Sequence, residues 1–162
     1  MYAPAASRAE YQKAAARAAD WLATATPHST EDCAYQLLGL RWADGNKDLI
    51  QKAGRALAAE QRPDGGWAQI PSLASDAYAT GQALVALSSS GAMSLGDLAF
   101  KKGVQFLLNT QYADGSWFVR TRAMPLQPHF ESGFPYGRDQ FISAAASNWA
   151  TMALMSAYVR PS

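Results

Sequence analysis

Apolar residues recur along most of this chain at steps of three and four, the period of an amphipathic helix. The first such stretch opens at Ser7-Arg8-Ala9-Glu10, a capping-box pattern, and runs to about Thr24 with Tyr11, Ala14, Ala18, Trp21 and Leu22 on one stripe. After Pro27, Thr30 has the place of an N-cap, with Glu31 and Asp32 in the first turn where carboxylates suit the helix dipole. That second helix carries Tyr35, Leu38 and Trp42 and stops near Asp44-Gly45. A third runs from about Asn46 to Gln61 through Leu49, Ile50, Ala53 and Leu57. Ser75 or Asp76 caps a fourth, with Tyr78, Leu84 and Leu87, ending before Gly91. Ser94-Leu95-Gly96-Asp97 opens a fifth, with Phe100, Val104, Leu107 and Leu108. The last runs from about Gln140 to Tyr158 and carries Ile142, Trp149, Met152 and Leu154.

These helices pair into three hairpins because the chain repeats. Gln61-Arg62-Pro63-Asp64-Gly65-Gly66-Trp67 returns fifty residues later as Gln111-Tyr112-Ala113-Asp114-Gly115-Ser116-Trp117. Gln61, Asp64, Gly65 and Trp67 match Gln111, Asp114, Gly115 and Trp117 in register, and Lys52 and Leu57 match Lys102 and Leu107. A fixed period of that length means stacked supersecondary units. The first hairpin is degenerate: Trp21-Leu22 aligns with Ala56-Leu57 and Phe106-Leu107, but Thr26-Pro27-His28 stands where the motif should follow. The third is expanded by an insertion from Phe118 to Phe141. Terminal repeats are commonly atypical.

Composition narrows the class without naming a chemistry. At 162 residues and 49% hydrophobic, with five Trp and seven Tyr, residues 1–162 make one domain with a real core. Fourteen basic against thirteen acidic residues leave a net charge of +1, which offers no electrostatic case for nucleic acid or an anionic membrane. Cys33 is the only cysteine, so no disulfide can form within the chain. No apolar run approaches the roughly 20 residues of a membrane span. Met1 to Arg17 lacks the apolar centre of a signal peptide, and the compartment is not readable.

Gln-x-x-Asp-Gly-x-Trp between paired helices resembles the repeat of squalene and oxidosqualene cyclases and, more loosely, of protein prenyltransferase β subunits. The resemblance covers about residues 46–158 well and the first hairpin weakly. It implies an all-α fold, an α/α toroid with inner and outer helices, in which the Gln and Trp tie an outer helix to its neighbour. The residues agree: Asp-Gly makes a tight turn, the Trp ring supplies apolar contact, and the Gln amide can satisfy a helix-end group. A full toroid in that family needs about six hairpins, so three form a half-toroid. The chain is then a fragment of a longer protein, a half-ring that self-associates, or a short open solenoid.

The resemblance also proposes chemistry. Bacterial cyclases of the squalene–hopene type protonate an alkene with the Asp of an Asp-x-Asp-Asp-Thr-Ala motif, an acid that must stay protonated in an apolar cavity. Ser29-Thr30-Glu31-Asp32-Cys33-Ala34 sets Glu31 at the donor position and Asp32 beside it, with Ser29 in place of the leading Asp. Leu73-Ala74-Ser75-Asp76-Ala77 keeps only Asp76. Helix capping accounts for all three carboxylates without catalysis. Prenyltransferase β subunits hold zinc with Asp, Cys and His, but His28, Cys33 and His129 lack the spacing of a metal site, and no metal or other cofactor is expected. Some α/α-toroid polysaccharide lyases share a Gly-Gly-Trp turn; they need carboxylate clusters, and Asp64 and Asp114 lie on different repeats.

The insertion concentrates binding groups. Trp117 to Arg122 alternates like an extended segment, which would put Arg120 and Arg122 on one face. Pro125, Pro128, His129, Phe130, Glu131, Phe134, Tyr136, Arg138 and Asp139 follow. As a ligand site, Arg120 and Arg122 address an anion, Phe130 and Phe134 form an apolar wall, and the remaining polar groups add contacts. As a plug, the aromatics are buried and an arginine pairs with Glu131 or Asp139. The expected function is a non-catalytic module that binds a hydrophobic or anionic small molecule, a neighbouring domain or a second copy. A cyclase fragment and a purely structural repeat domain are the alternatives.

Overall fold

The structure, a computed structural model, describes residues 4–124 and 128–158; Pro125 lies outside them. Six α-helices and two 3-10 turns form among the described residues, with no strand. The helices are α1 (Arg8–Thr24), α2 (Thr30–Trp42), α3 (Lys47–Ala59), α4 (Ala77–Ser89), α5 (Leu98–Thr110) and α6 (Gln140–Tyr158). The all-α expectation holds. α2, α4 and α6 pack side by side in that order, while α1 lies on α2, α3 on α2 and α4, and α5 on α4 and α6. None of the described helices is long and apolar enough to cross a membrane.

The order of contacts follows from which faces are apolar. α4 has no charged residue and is buried at every position from Ala79 to Leu87. A helix apolar all round has to be surrounded, and α2, α3, α5 and α6 surround this one. α3 and α5 bury only one stripe each, Ile50, Gly54 and Leu57 on α3 and Phe100, Gly103 and Leu107 on α5. Their charged faces point to water.

Several local expectations need correction. Ser29 caps α2, its hydroxyl accepting from the Asp32 amide at 3.1 Å, while Thr30 is the first helical residue and donates to the Ala68 carbonyl at 2.6 Å. Asp76, not Ser75, caps α4. Ser7 makes no side-chain cap bond, because the 3-10 turn Ala5–Ser7 gives it a helical rather than an extended backbone. The predicted stripe of α1 is not a core face: no residue of α1 is buried, and Tyr11 and Trp21 are exposed. Among the described α-helices α1 packs mainly on α2, through the Leu22 end of the stripe. Trp42 and Met152 are likewise exposed.

The two motif copies fold alike. Arg62 and Tyr112 amides donate to the Gly66 and Ser116 carbonyls, each at 2.9 Å, and Asp64 and Asp114 accept from the Gly66 and Ser116 amides. Gly65 and Gly115 take φ of 89° and 85°, a region that favours glycine. Trp67 and Trp117 are 0% and 2% exposed, and their indole N–H groups donate to the Leu57 and Leu107 carbonyls at 2.8 and 2.9 Å. Their amides donate to Thr80 of α4 and Ser147 of α6. Gln61 donates to the Gly65 carbonyl and also, at 2.7 Å, to Ala99 in the first turn of α5. Among the described residues Gln111 reaches only Gly115.

No ribbon forms in the described part of the insertion. The alternation is nonetheless real: Trp117 and Val119 are buried, Phe118 and Arg120 exposed. A helix side chain replaces the partner strand, since the Val119 amide donates to the Ser143 hydroxyl at 3.0 Å and that hydroxyl donates back to the Val119 carbonyl. The isolated antiparallel bridge lies elsewhere, between Trp67 and Asp76.

Trp67→Ala and Trp117→Ala are each expected to cost about 3–5 kcal/mol, through the cavity left by the ring and the lost indole hydrogen bond. Gln61→Ala should cost about 1–3 kcal/mol, and Gln111→Ala within about 0.5 kcal/mol of nothing, being exposed with one local bond. Urea denaturation of the four variants checks the ranking.

Candidate functional site

The insertion is pinned at three places. Gln140, fully buried at the start of α6, donates to the Phe130 carbonyl at 2.8 Å and accepts from the Ser132 amide at 2.9 Å and from its hydroxyl. Asp139 accepts from the Thr121 amide at 2.7 Å. Tyr136 shares a short hydrogen bond with Ser116 and lies edge-on to Phe118, ring centroids 5.3 Å apart. Its backbone is left-handed, with φ of 81°, which lets the chain turn sharply into Gly137–Asp139 and α6.

Between these pins and α6 lies an open hollow of about 910 Å³. Met124, Phe130, Phe141, Ile142 and Ala145 line it with apolar surface, and His129 and Arg138 bring basic nitrogen to it. Phe130 is 72% exposed and Phe141 more than half exposed. The Glu131 carboxylate sits 3.6 Å from the His129 imidazole and also accepts from the Gly133 amide. Among the described residues Arg138 has no ion-pair partner.

The predicted residues are therefore only partly brought together. His129, Phe130 and Arg138 line the hollow. Arg120 and Arg122 do not: Arg120 is exposed, and Arg122 donates through Nε to Gln69 at 2.7 Å. Gln69, 4% exposed, in turn donates to Asp76 at 2.8 Å. Arg122 thus reaches back across the fold to the first motif turn. The plug arrangement is contradicted as well. Phe130 and Phe134 stand in solvent, Asp139 is engaged by backbone, and neither arginine pairs with Glu131 or Asp139 among the described residues. Sequence reasoning missed Phe141 and Ala145. Their signal was present, since α6 is apolar on two faces, Ile142, Ala146, Trp149 and Ala153 on one and Phe141, Ala145, Met152 and Met155 on the other.

The three candidate acids sit in cap and surface networks. Glu31 accepts from the Tyr78 hydroxyl at 2.7 Å, and burial together with this carboxylate pushes the Tyr78 phenol up. The His28 amide, donating to Asp32 at 3.0 Å, holds that carboxyl below its ordinary range. Burial pushes the Asp76 carboxyl up, against hydrogen bonds from the Ala79 amide and the Gln69 side chain. Burial also pushes the Cys33 thiol up to about 11, so it is a thiol at neutral pH. No group of three or more His, Cys, Asp or Glu converges on one point among the described residues.

Arg122→Ala should leave the buried Gln69 oxygen unpaired and cost about 1–3 kcal/mol. Phe130→Ala should change stability by no more than about 0.5 kcal/mol, because the ring is exposed. Thermal melts compare the two, and the order is the reverse of what a plug requires.

The two aspartates give opposite pH signatures. The native state holds the Asp32 proton less tightly than the unfolded chain, so its contribution is present above the unfolded pKa and lost as pH falls through the lower native one. The native state holds the Asp76 proton more tightly, so stability is gained below the unfolded pKa and lost as pH rises through the native one. Denaturation midpoints from neutral to acid pH should show Asp76→Asn, which keeps a capping oxygen, losing stability relative to wild type as pH falls. Asp32→Asn should gain on wild type over the same range.

Compared with protein-family models and with curated proteins, the chain matches none.

Proposed function

We propose that this chain is a cyclase-like α/α-repeat domain that works as a non-catalytic binding module. Its hairpins α1–α2, α3–α4 and α5–α6 form half of a toroid, with α2, α4 and α6 as the inner row. The repeated tryptophan clamp and the alternating order of helix contacts support that architecture. The ligand enters the hollow between the insertion and α6. One observation carries this: a concavity of about 910 Å³ with an apolar wall and two basic side chains beside it. That size suits a small organic ligand. Arg138 and His129 select an anionic head, while Met124, Phe130 and Phe141 take a hydrocarbon body.

Catalysis is not part of the proposal. An alkene-protonating acid has to be held neutral in a dry cavity. Asp32 is biased toward its ionised form, and both oxygens of Asp76 are accepting hydrogen bonds.

Isothermal titration with dodecyl phosphate, laurate and uncharged dodecanol tests the site. The two anions should bind and dodecanol should bind more weakly. Arg138→Ala should weaken the anions about tenfold, equivalent to about 1.4 kcal/mol, with an unchanged melting temperature. Equal binding of all three probes, or none by any, would refute the proposal.

A further inference from the structure

Among the described residues the helical array is bare at both ends, and its own repeat shows what each end is shaped to meet. At the α5–α6 end, positions that are covered one repeat earlier stand open. Thr80 and Ser147 hold the amides of Trp67 and Trp117, so they mark the same place on α4 and α6. Counting on from them, Gly81 answers to Asn148, Val85 to Met152 and Ser88 to Met155. Gly81 and Val85 are buried, and α6 lies so close to Gly81 that a Cβ there would meet the Trp149 backbone at 2.7 Å. Asn148 is exposed, and Met152 and Met155 are each 51% exposed.

The outer helix tells the same story. A Cβ on Gly65 would strike the Lys102 carbonyl of α5 at 2.6 Å, whereas one on Gly115 would meet only Gln111, at 3.9 Å. Ala58 packs on the core, but its counterpart Leu108 is half exposed. Gln61 spends its second N–H on α5 at Ala99, and Gln111 has no such bond. What fits beside Gly115 and Leu108 is an outer helix of this repeat, and what fits beside Met152 is the inner helix that follows it.

α1 is such an outer helix. Aligning Trp21-Leu22 with Ala56-Leu57 sets Ala14, Ala18 and Trp21 at the positions of Leu49, Ala53 and Ala56. Those α3 residues face Leu22, Ala23 and Leu40 of the preceding hairpin across a shared groove. The bare stripe of α1, with Trp21 68% exposed, is therefore the face an outer helix turns to the hairpin before it.

We infer that two copies of this chain associate head to tail, the α1–α2 hairpin of one seated on the α5–α6 end of the other, the α1 stripe against α5 and α2 against the Met152 face of α6. The contact continues the packing that α3 and α5 already make within the chain. In it, the Gln111 amide gains the carbonyl that corresponds to Ala99, that of Ala14 in the second copy. A contact between two different patches is heterologous, and this predicts a specific pattern of complementation.

Sedimentation equilibrium tests it on the full chain. Wild type should associate as concentration rises. Trp21→Glu blocks one end and Met152→Glu the other, so each alone should be monomeric, with unchanged circular dichroism because both side chains are exposed. Mixed in equal amounts, they keep one intact interface between them and should form a one-to-one heterodimer and nothing larger. Neither substitution touches the hollow, so both variants should retain the probe binding of wild type, which separates this test from that of the ligand. A monomeric wild type at the highest soluble concentration would overturn the inference. So would a Trp21→Glu variant that still self-associates, which would mean that like faces pair, or a mixture that forms no complex.

Discussion

Everything in this fold hangs on a buried tryptophan that ties two helices together. Trp67 donates its ring N–H to Leu57 in the last turn of α3, its backbone N–H to Thr80 of α4, and its ring fills the space between them. Helix ends leave carbonyls without intrahelical partners. Here one of those carbonyls is satisfied by the residue that also carries the chain into the next helix. Trp117 repeats the arrangement with Leu107 and Ser147. The clamp thus ties α3 to α4 and α5 to α6, while the α1–α2 hairpin has no counterpart of it.

The same clamp explains why an irregular segment can be held in a defined shape. Trp117 and Val119 anchor the beginning of the insertion in the core, and Gln140 at the head of α6 anchors its end. Between those anchors the chain satisfies its backbone through side chains, Ser143 for Val119, Asp139 for Thr121 and Gln140 for Ser132. The apolar side chains that this spares from the core, Phe130 and Phe141 among them, stand around the hollow instead. A segment built this way shapes a surface without adding a layer to the fold.

Position in the array, rather than local sequence, decides how much each repeat buries. α4 sits in the middle and is enclosed by four helices. α1 and α6 carry apolar side chains on their outward sides, Trp21 and Met152 among them, but no described element lies against those faces. Repeat stability comes from neighbours, so the two ends keep apolar surface that the middle has already covered.

The helices, their order and the repeated turn were legible in the sequence, because they depend on short-range physics. Helical period, capping side chains and the Asp-Gly turn act over a few residues, and the register of two motif copies carries the rest. The predicted limits of α6 match the structure, and those of α2 and α3 lie within a turn of it. Choices between adjacent residues, Ser29 or Thr30 and Ser75 or Asp76, were settled by backbone geometry that sequence does not display. Burial of the α1 stripe was misjudged because amphipathicity records a face suited to packing and says nothing of whether a neighbour is there. The site shows the same limit. His129, Phe130 and Arg138 could be picked out as binding chemistry, yet Arg122 was drawn away by Gln69, fifty-three residues earlier. Phe141 and Ala145 became wall residues only because the chain from Pro128 onward folds back over α6. Long-range contacts decide those assignments, and only the tertiary structure contains them.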